Sequence, residues 1–88
     1  MALLVKVDGT KEEVEVPKKG SLDFLQGIVG GYIELAPCKC AVYDGIICDE
    51  EGKLKSKPLN KVATEMAGCA PYDVLVGDIL FFEEGEVD

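Results

Sequence analysis

The stretch from Ser21 to Leu35, SLDFLQGIVGGYIEL, contains a helix, its stop signal and the start of a strand. Leu22, Leu25, Ile28 and Val29 recur at helical spacing and form one apolar stripe. Ser21 is a residue type that caps helix starts, and Asp23 in the first turn suits the helix dipole. Gly30-Gly31 supplies the left-handed backbone on which helices end, and Tyr32 to Leu35 reads as a strand entered from that cap. A helix that feeds a strand across two glycines predicts an α+β fold.

On the N-terminal side, Ala2 to Val7 is apolar and β-prone, Asp8-Gly9 is a turn signal, and Glu12 to Val16 alternates. That is a hairpin with one wet face. On the C-terminal side, Pro37 interrupts the strand and Cys40 to Tyr43 begins another. Asp44-Gly45 reads as a turn into Ile46 to Cys48, and Asp49-Glu50-Glu51-Gly52 as a third, acidic turn. Lys53 to Lys57 reads as polar and extended. Pro58 opens a second helix that runs through Asn60 and Met66 to Ala67, with Gly68 as its cap. Asp73 to Val76, a Gly77-Asp78 turn and Ile79 to Phe82 close the series. The expectation is a mostly antiparallel sheet of five to seven strands with two helices packed on it, in the order ββαβββαββ. All 88 residues make one domain (1–88), with the acidic tail 84–88 frayed.

The balance of 17 acids to nine lysines, with no arginine, gives a net charge of −8. Such a chain is a poor partner for phosphate backbones, so direct nucleic-acid binding is not expected. No apolar run reaches the length of a membrane span, and the N-terminus reads as a strand rather than a secretion signal. A reducing cytoplasm fits Cys38, Cys40, Cys48 and Cys69 as free thiols. Four cysteines could hold a zinc ion, but only Cys38-Lys39-Cys40 approaches a ligand pair, and small buried thiols are the simpler reading. No metal and no cofactor is expected.

The chain has no His, so triads built on imidazole are excluded within it. Asp44, Asp49, Glu50 and Glu51 cluster near two turns without the ligand spacing of a calcium loop. No Ser, Thr or Cys has a local activating partner. No catalytic residue is assigned, and the expectation is a protein that is not an enzyme.

The blocks Leu25-Gln26-Gly27-Ile28-Val29-Gly30-Gly31-Tyr32-Ile33-Glu34, Asp49-Glu50-Glu51-Gly52-Lys53-Leu54 and Pro58-Leu59-Asn60-Lys61 occur in order, followed by Asp73 to Phe82. In these the chain resembles domain-of-unknown-function family 3846, small proteins of bacteria, archaea and their phages, over nearly its whole length. Two positions depart from the family's usual residues: Asp49 stands where Asn is usual, and Lys61 where Arg is common. The resemblance names no activity. It implies an accessory gene of phages and mobile elements, a setting rich in counter-defence proteins.

Lys53, Lys55, Lys57 and Lys61 gather within nine residues of an otherwise acidic chain and lead into a helix start, where partial positive charge already favours an anion. Asn60 could add an amide and Ser56 a hydroxyl. The plainer reading is a solvated loop whose lysines balance Glu50, Glu51 and neighbouring acids. Tyr32, beside two glycines, could stack a ring; as the residue after a helix cap it is instead half-buried in the sheet. The leading expectation is a non-enzymatic accessory protein that binds a small anionic, nucleotide-like ligand through Lys53, Lys55, Lys57, Asn60, Lys61 and Tyr32, as a counter-defence sponge and as a homo-oligomer. The alternatives are an acidic protein–protein inhibitor or DNA mimic, presenting Glu12-Glu13-Glu15 and Glu83-Glu84-Glu86, and a small hydrolase.

Overall fold

A computed structural model describes residues 2–36, 42–68 and 74–85. Among the described residues five strands and two helices follow one another: β1 (Ala2–Val5), β2 (Lys11–Val14), α1 (Ser21–Val29), β3 (Ile33–Leu35), β4 (Gly45–Asp49), α2 (Lys61–Ala67) and β5 (Ile79–Phe82). They form one antiparallel sheet in the order β2-β1-β5-β4-β3. The fold is α+β, as the helix–glycine–strand stretch predicts.

The two helices lie on opposite faces of the sheet, which explains the composition of its central strands. Leu4, Ile47 and Leu80 pack with Leu25 and Val29 of α1 on one face. Val5, Ile46, Cys48, Ile79 and Phe81 pack with Ala63 and Ala67 of α2 on the other. Successive strand residues point to opposite faces, so β1, β4 and β5 are apolar at adjacent positions because both faces are covered. β2 is an edge strand, and its Lys11, Glu12 and Glu13 are exposed, a composition that discourages pairing with another chain.

Several boundaries differ from the sequence expectation. Gly20, with φ 72°, occupies the cap position of α1, and Ser21 is the first helical residue. Leu22 is exposed, so the buried stripe is Leu25 and Val29 with Ile28 half-buried. Gly30 ends α1 at φ 80° with its N–H on the Gln26 carbonyl, as expected of a glycine cap. Asp44-Gly45 is not a hairpin turn. Gly45 opens β4 opposite Phe82, whose ring occupies the space a Cβ at Gly45 would need. Tyr43 lies outside any strand, Val76 makes one isolated bridge to Leu59, and α2 starts at Lys61 with Asn60 as its cap rather than at Pro58. The expected strand start at Cys40, and Cys38, Cys69, Asp73 and Glu86, lie outside the described residues. Among the described residues no helix is long and apolar enough to cross a membrane.

Candidate functional site

The acidic turn after β4 organises the region that the lysines occupy. Asp49, the last residue of β4, pairs with Ile33 across the strands and therefore faces the α1 side of the sheet. Its Oδ1 accepts from the Glu51 N–H at 2.9 Å, an Asx turn that starts the chain's reversal. Residues 50–57 then coil instead of extending: Lys55 N–H reaches the Glu51 carbonyl at 2.9 Å, and Lys57 N–H the Gly52 carbonyl at 3.0 Å. Ser56 takes a left-handed φ of 56° as the chain leaves the coil. The expectation of an extended 53–57 segment is thus overturned by local hydrogen bonds that only a compact reversal allows.

That coil aims two lysines at one carboxylate. Lys55 Nζ lies 2.9 Å and Lys57 Nζ 2.7 Å from Asp49 Oδ2. The Asp49 side chain is 1% exposed, against 41% for Lys55 and 21% for Lys57. Lys57 Nζ also donates to the carbonyl of Val29, the last residue of α1, a position where a cation suits the helix dipole. Burial pushes the Asp49 carboxyl up; hydrogen bonds from Lys57, Lys55 and the Glu51 N–H, with the charge of Lys57, outweigh it and bring its pKa from 3.8 to about 2. Gly31 completes the arrangement. A Cβ there would stand 2.5 Å from Lys55 Nζ and 2.7 Å from Asp49 Oδ2, so the residue after the cap must be glycine for the ion pair to seat against the backbone.

The four-lysine cluster therefore does not converge as one anion site. Lys55 and Lys57 share Asp49. Lys53 lines a separate cleft of about 110 Å³ with Glu34, Cys48, Glu50 and Leu54. Lys61 is exposed on the first turn of α2. Asn60 is not available to a ligand, because it is fully buried and its amide is used within the fold. Nδ2 donates to the Val5 carbonyl at 2.8 Å and the Gly77 carbonyl at 2.9 Å, while Oδ1 accepts from the Ala63 N–H at 3.0 Å. The side chain ties the start of α2 to β1 and to the turn before β5.

Beyond the Lys55–Lys57 pair on Asp49, the fold also brings Tyr32 and Lys55 together. Both line an open groove of about 420 Å³ with Gln26, Gly27, Gly31 and Glu51. Tyr32 is not half-buried in the sheet; it is 66% exposed, with its backbone carbonyl held by the Glu50 N–H at 2.8 Å. The groove runs from the last turn of α1, across the glycine cap, to the coil of 50–57. Sequence reasoning missed Gln26, Gly27 and Glu51 as its lining. That the lysines balance neighbouring acids is the plainer reading of the sequence, but it does not single out Asp49 as the acid that Lys55 and Lys57 share. The readable signal for Asp49 is an Asx residue ahead of a glycine-containing reversal, with lysines six and eight residues on.

The described residues contain no cluster of three or more His, Cys, Asp or Glu placed to hold a metal ion. The Cys48 thiol is buried and donates toward the Glu34 carbonyl at 3.7 Å. What the site defines is a small α+β domain with a shallow, mixed-charge groove that carries one exposed aromatic ring. The chain belongs to the family described as domain of unknown function (DUF3846), whose model matches residues 1–88. No curated protein and no solved structure matches it.

Proposed function

We propose that this chain is a non-enzymatic binding domain whose ligand is a small, lightly charged, nucleotide-like molecule held in the groove between α1 and the 50–57 coil. The observation that carries this reading is the exposed Tyr32 ring standing in the same groove as the Lys55 ammonium. An aromatic ring in water is a platform for a base, and stacking of this kind contributes about 1–3 kcal/mol per base. Lys55 gives one of its three N–H donors to Asp49 and offers the others to an anionic oxygen.

Local charge limits the ligand. Asp49, Lys55 and Lys57 together carry one positive charge, and Glu51 at the groove wall cancels it. A triphosphate gains little in such a place, whereas a monophosphate or a neutral nucleoside meets no repulsion. The accessory-gene setting that the family resemblance implies suits a protein that sequesters such a molecule.

Titration of the protein with the four ribonucleosides and their mono- and triphosphates tests this. A ligand at a hundred times its dissociation constant stabilises the fold by about 2.7 kcal/mol, which in a domain of this size raises the melting temperature by about 10 °C or more. The expected ranking places a monophosphate above its nucleoside and no lower than its triphosphate, with Tyr32→Ala losing the shift. No stabilisation by any member of the series would remove the reading.

A further inference from the structure

Ten glycines are present, and nine of them have a structural reason to be glycine. Gly9, Gly20, Gly30, Gly68, Gly77 and Gly85 have positive φ. Gly31, Gly45 and Gly52 have another group less than 3.0 Å from where a Cβ would stand. Gly27 has neither property. It lies in the interior of α1 with ordinary helical backbone, it is exposed, and a Cβ on it would meet nothing within 4 Å. Glycine in an exposed helix interior makes the helix less stable than alanine would, so the fold itself has no use for it there. The space above it is the groove, and Gly27 lines that groove between Gln26 and the cap, on the way to Tyr32.

We propose that Gly27 is a specificity-determining residue of the groove, leaving the α1 backbone bare so that the flat ring of the ligand lies against it while Tyr32 contacts the same ring. This rests on the groove being a ligand site, and it adds which part of the ligand is selected. A nucleobase or similar planar heteroaromatic approaches a bare Cα closely, and a single methyl group there holds it away. Gln26, which among the described residues makes no side-chain hydrogen bond, presents a donor and an acceptor to the polar edge of that ring.

The experiment pairs stability with affinity in the full chain, using Gly27→Ala, Gly27→Leu and Tyr32→Ala and the four ribonucleoside monophosphates as probes in isothermal titration. In the absence of probe, Gly27→Ala melts above the wild type, which shows that the variant folds. With the probe that the wild type binds best, Gly27→Ala weakens binding at least tenfold and Gly27→Leu abolishes it. A Gly27→Ala protein that binds as tightly as the wild type, while Tyr32→Ala does not bind, overturns the role of Gly27 and leaves the groove as the ligand site. Absence of saturable binding by the wild type to every probe overturns both.

Discussion

Asp49 holds two ammonium groups on one oxygen while almost wholly shielded from water. A buried carboxylate is tolerated only when its partners return what desolvation removes, and here two lysines and a backbone N–H do so. The Asp49→Asn variant tests this. It keeps an acceptor for the Glu51 N–H and removes the charge, leaving Lys55 and Lys57 without their shared anion. Both lysines can turn to water, so the expected loss is about 1–3 kcal/mol, below that of stranding a fully buried charge. Urea unfolding at neutral pH measures it. The pH dependence follows from the depressed folded-state pKa: protonation costs the folded state more than the unfolded one. The Asp49 contribution is complete only above about pH 5 and is lost as pH falls through 3.8 and then about 2. Between pH 4 and pH 2 the wild type therefore loses stability more steeply than Asp49→Asn, and equal slopes would show that the pair does not stabilise the fold.

Asn60 does for α2 what Lys57 does for α1, joining a helix end to the rest of the molecule. A seven-residue helix is too short to persist alone, so its position depends on the cap and on Ala63 and Ala67 against the sheet. Asn60→Ala removes the cap bond and leaves the Val5 and Gly77 carbonyls without their buried donor. With about 1 kcal/mol for the cap and about 1–3 kcal/mol for each of the two buried unsatisfied carbonyls, a loss of about 3–7 kcal/mol is expected. Asn60→Asp, which retains the acceptor and removes both donors, is expected to fall short of the wild type by a comparable amount. Thermal melts of the two variants measure these losses. The same residue shows what was legible in the sequence. Asn before an apolar helical run marks a helix boundary, but reading Pro58 as the helix start puts Asn60 inside the helix; the α1–glycine–β3 stretch, by contrast, is readable from periodicity and glycine alone. The expected ligand role of Asn60 failed because sequence gives no sign that a side chain near a helix start is buried. The expectation of an extended 53–57 segment fails for a related reason: the backbone bonds of the 50–57 coil span three to five residues, and no apolar period reports them. Tyr32 and Lys55 were singled out separately, but their meeting in one groove depends on how α1 and the coil sit on the sheet.

The sheet with a helix on each face leaves the charges on a shell only 35 × 27 × 22 Å across. At 0.01 M salt the screening length is about 30 Å, so every charge on this molecule acts on every other; at 0.15 M it is about 8 Å and only neighbours interact. With a net charge of −8, the long-range sum is repulsive and favours the expanded, unfolded chain. The exposed acids Glu12, Glu13 and Glu15 beside the β2 edge contribute, with Lys6 close to only one of them, at 4.0 Å from Glu12. The Asp49 pair, by contrast, is shielded and loses little to salt. The urea midpoint at pH 7 is therefore expected to rise when potassium chloride is raised from 10 to 150 mM, by an amount equivalent to about 1 kcal/mol. Asp49→Asn is expected to gain by a similar amount, because screening acts on the surface charge that the two proteins share. A midpoint that falls with salt would mean that exposed ion pairs outweigh the net repulsion, and the acidic surface would then be a source of stability.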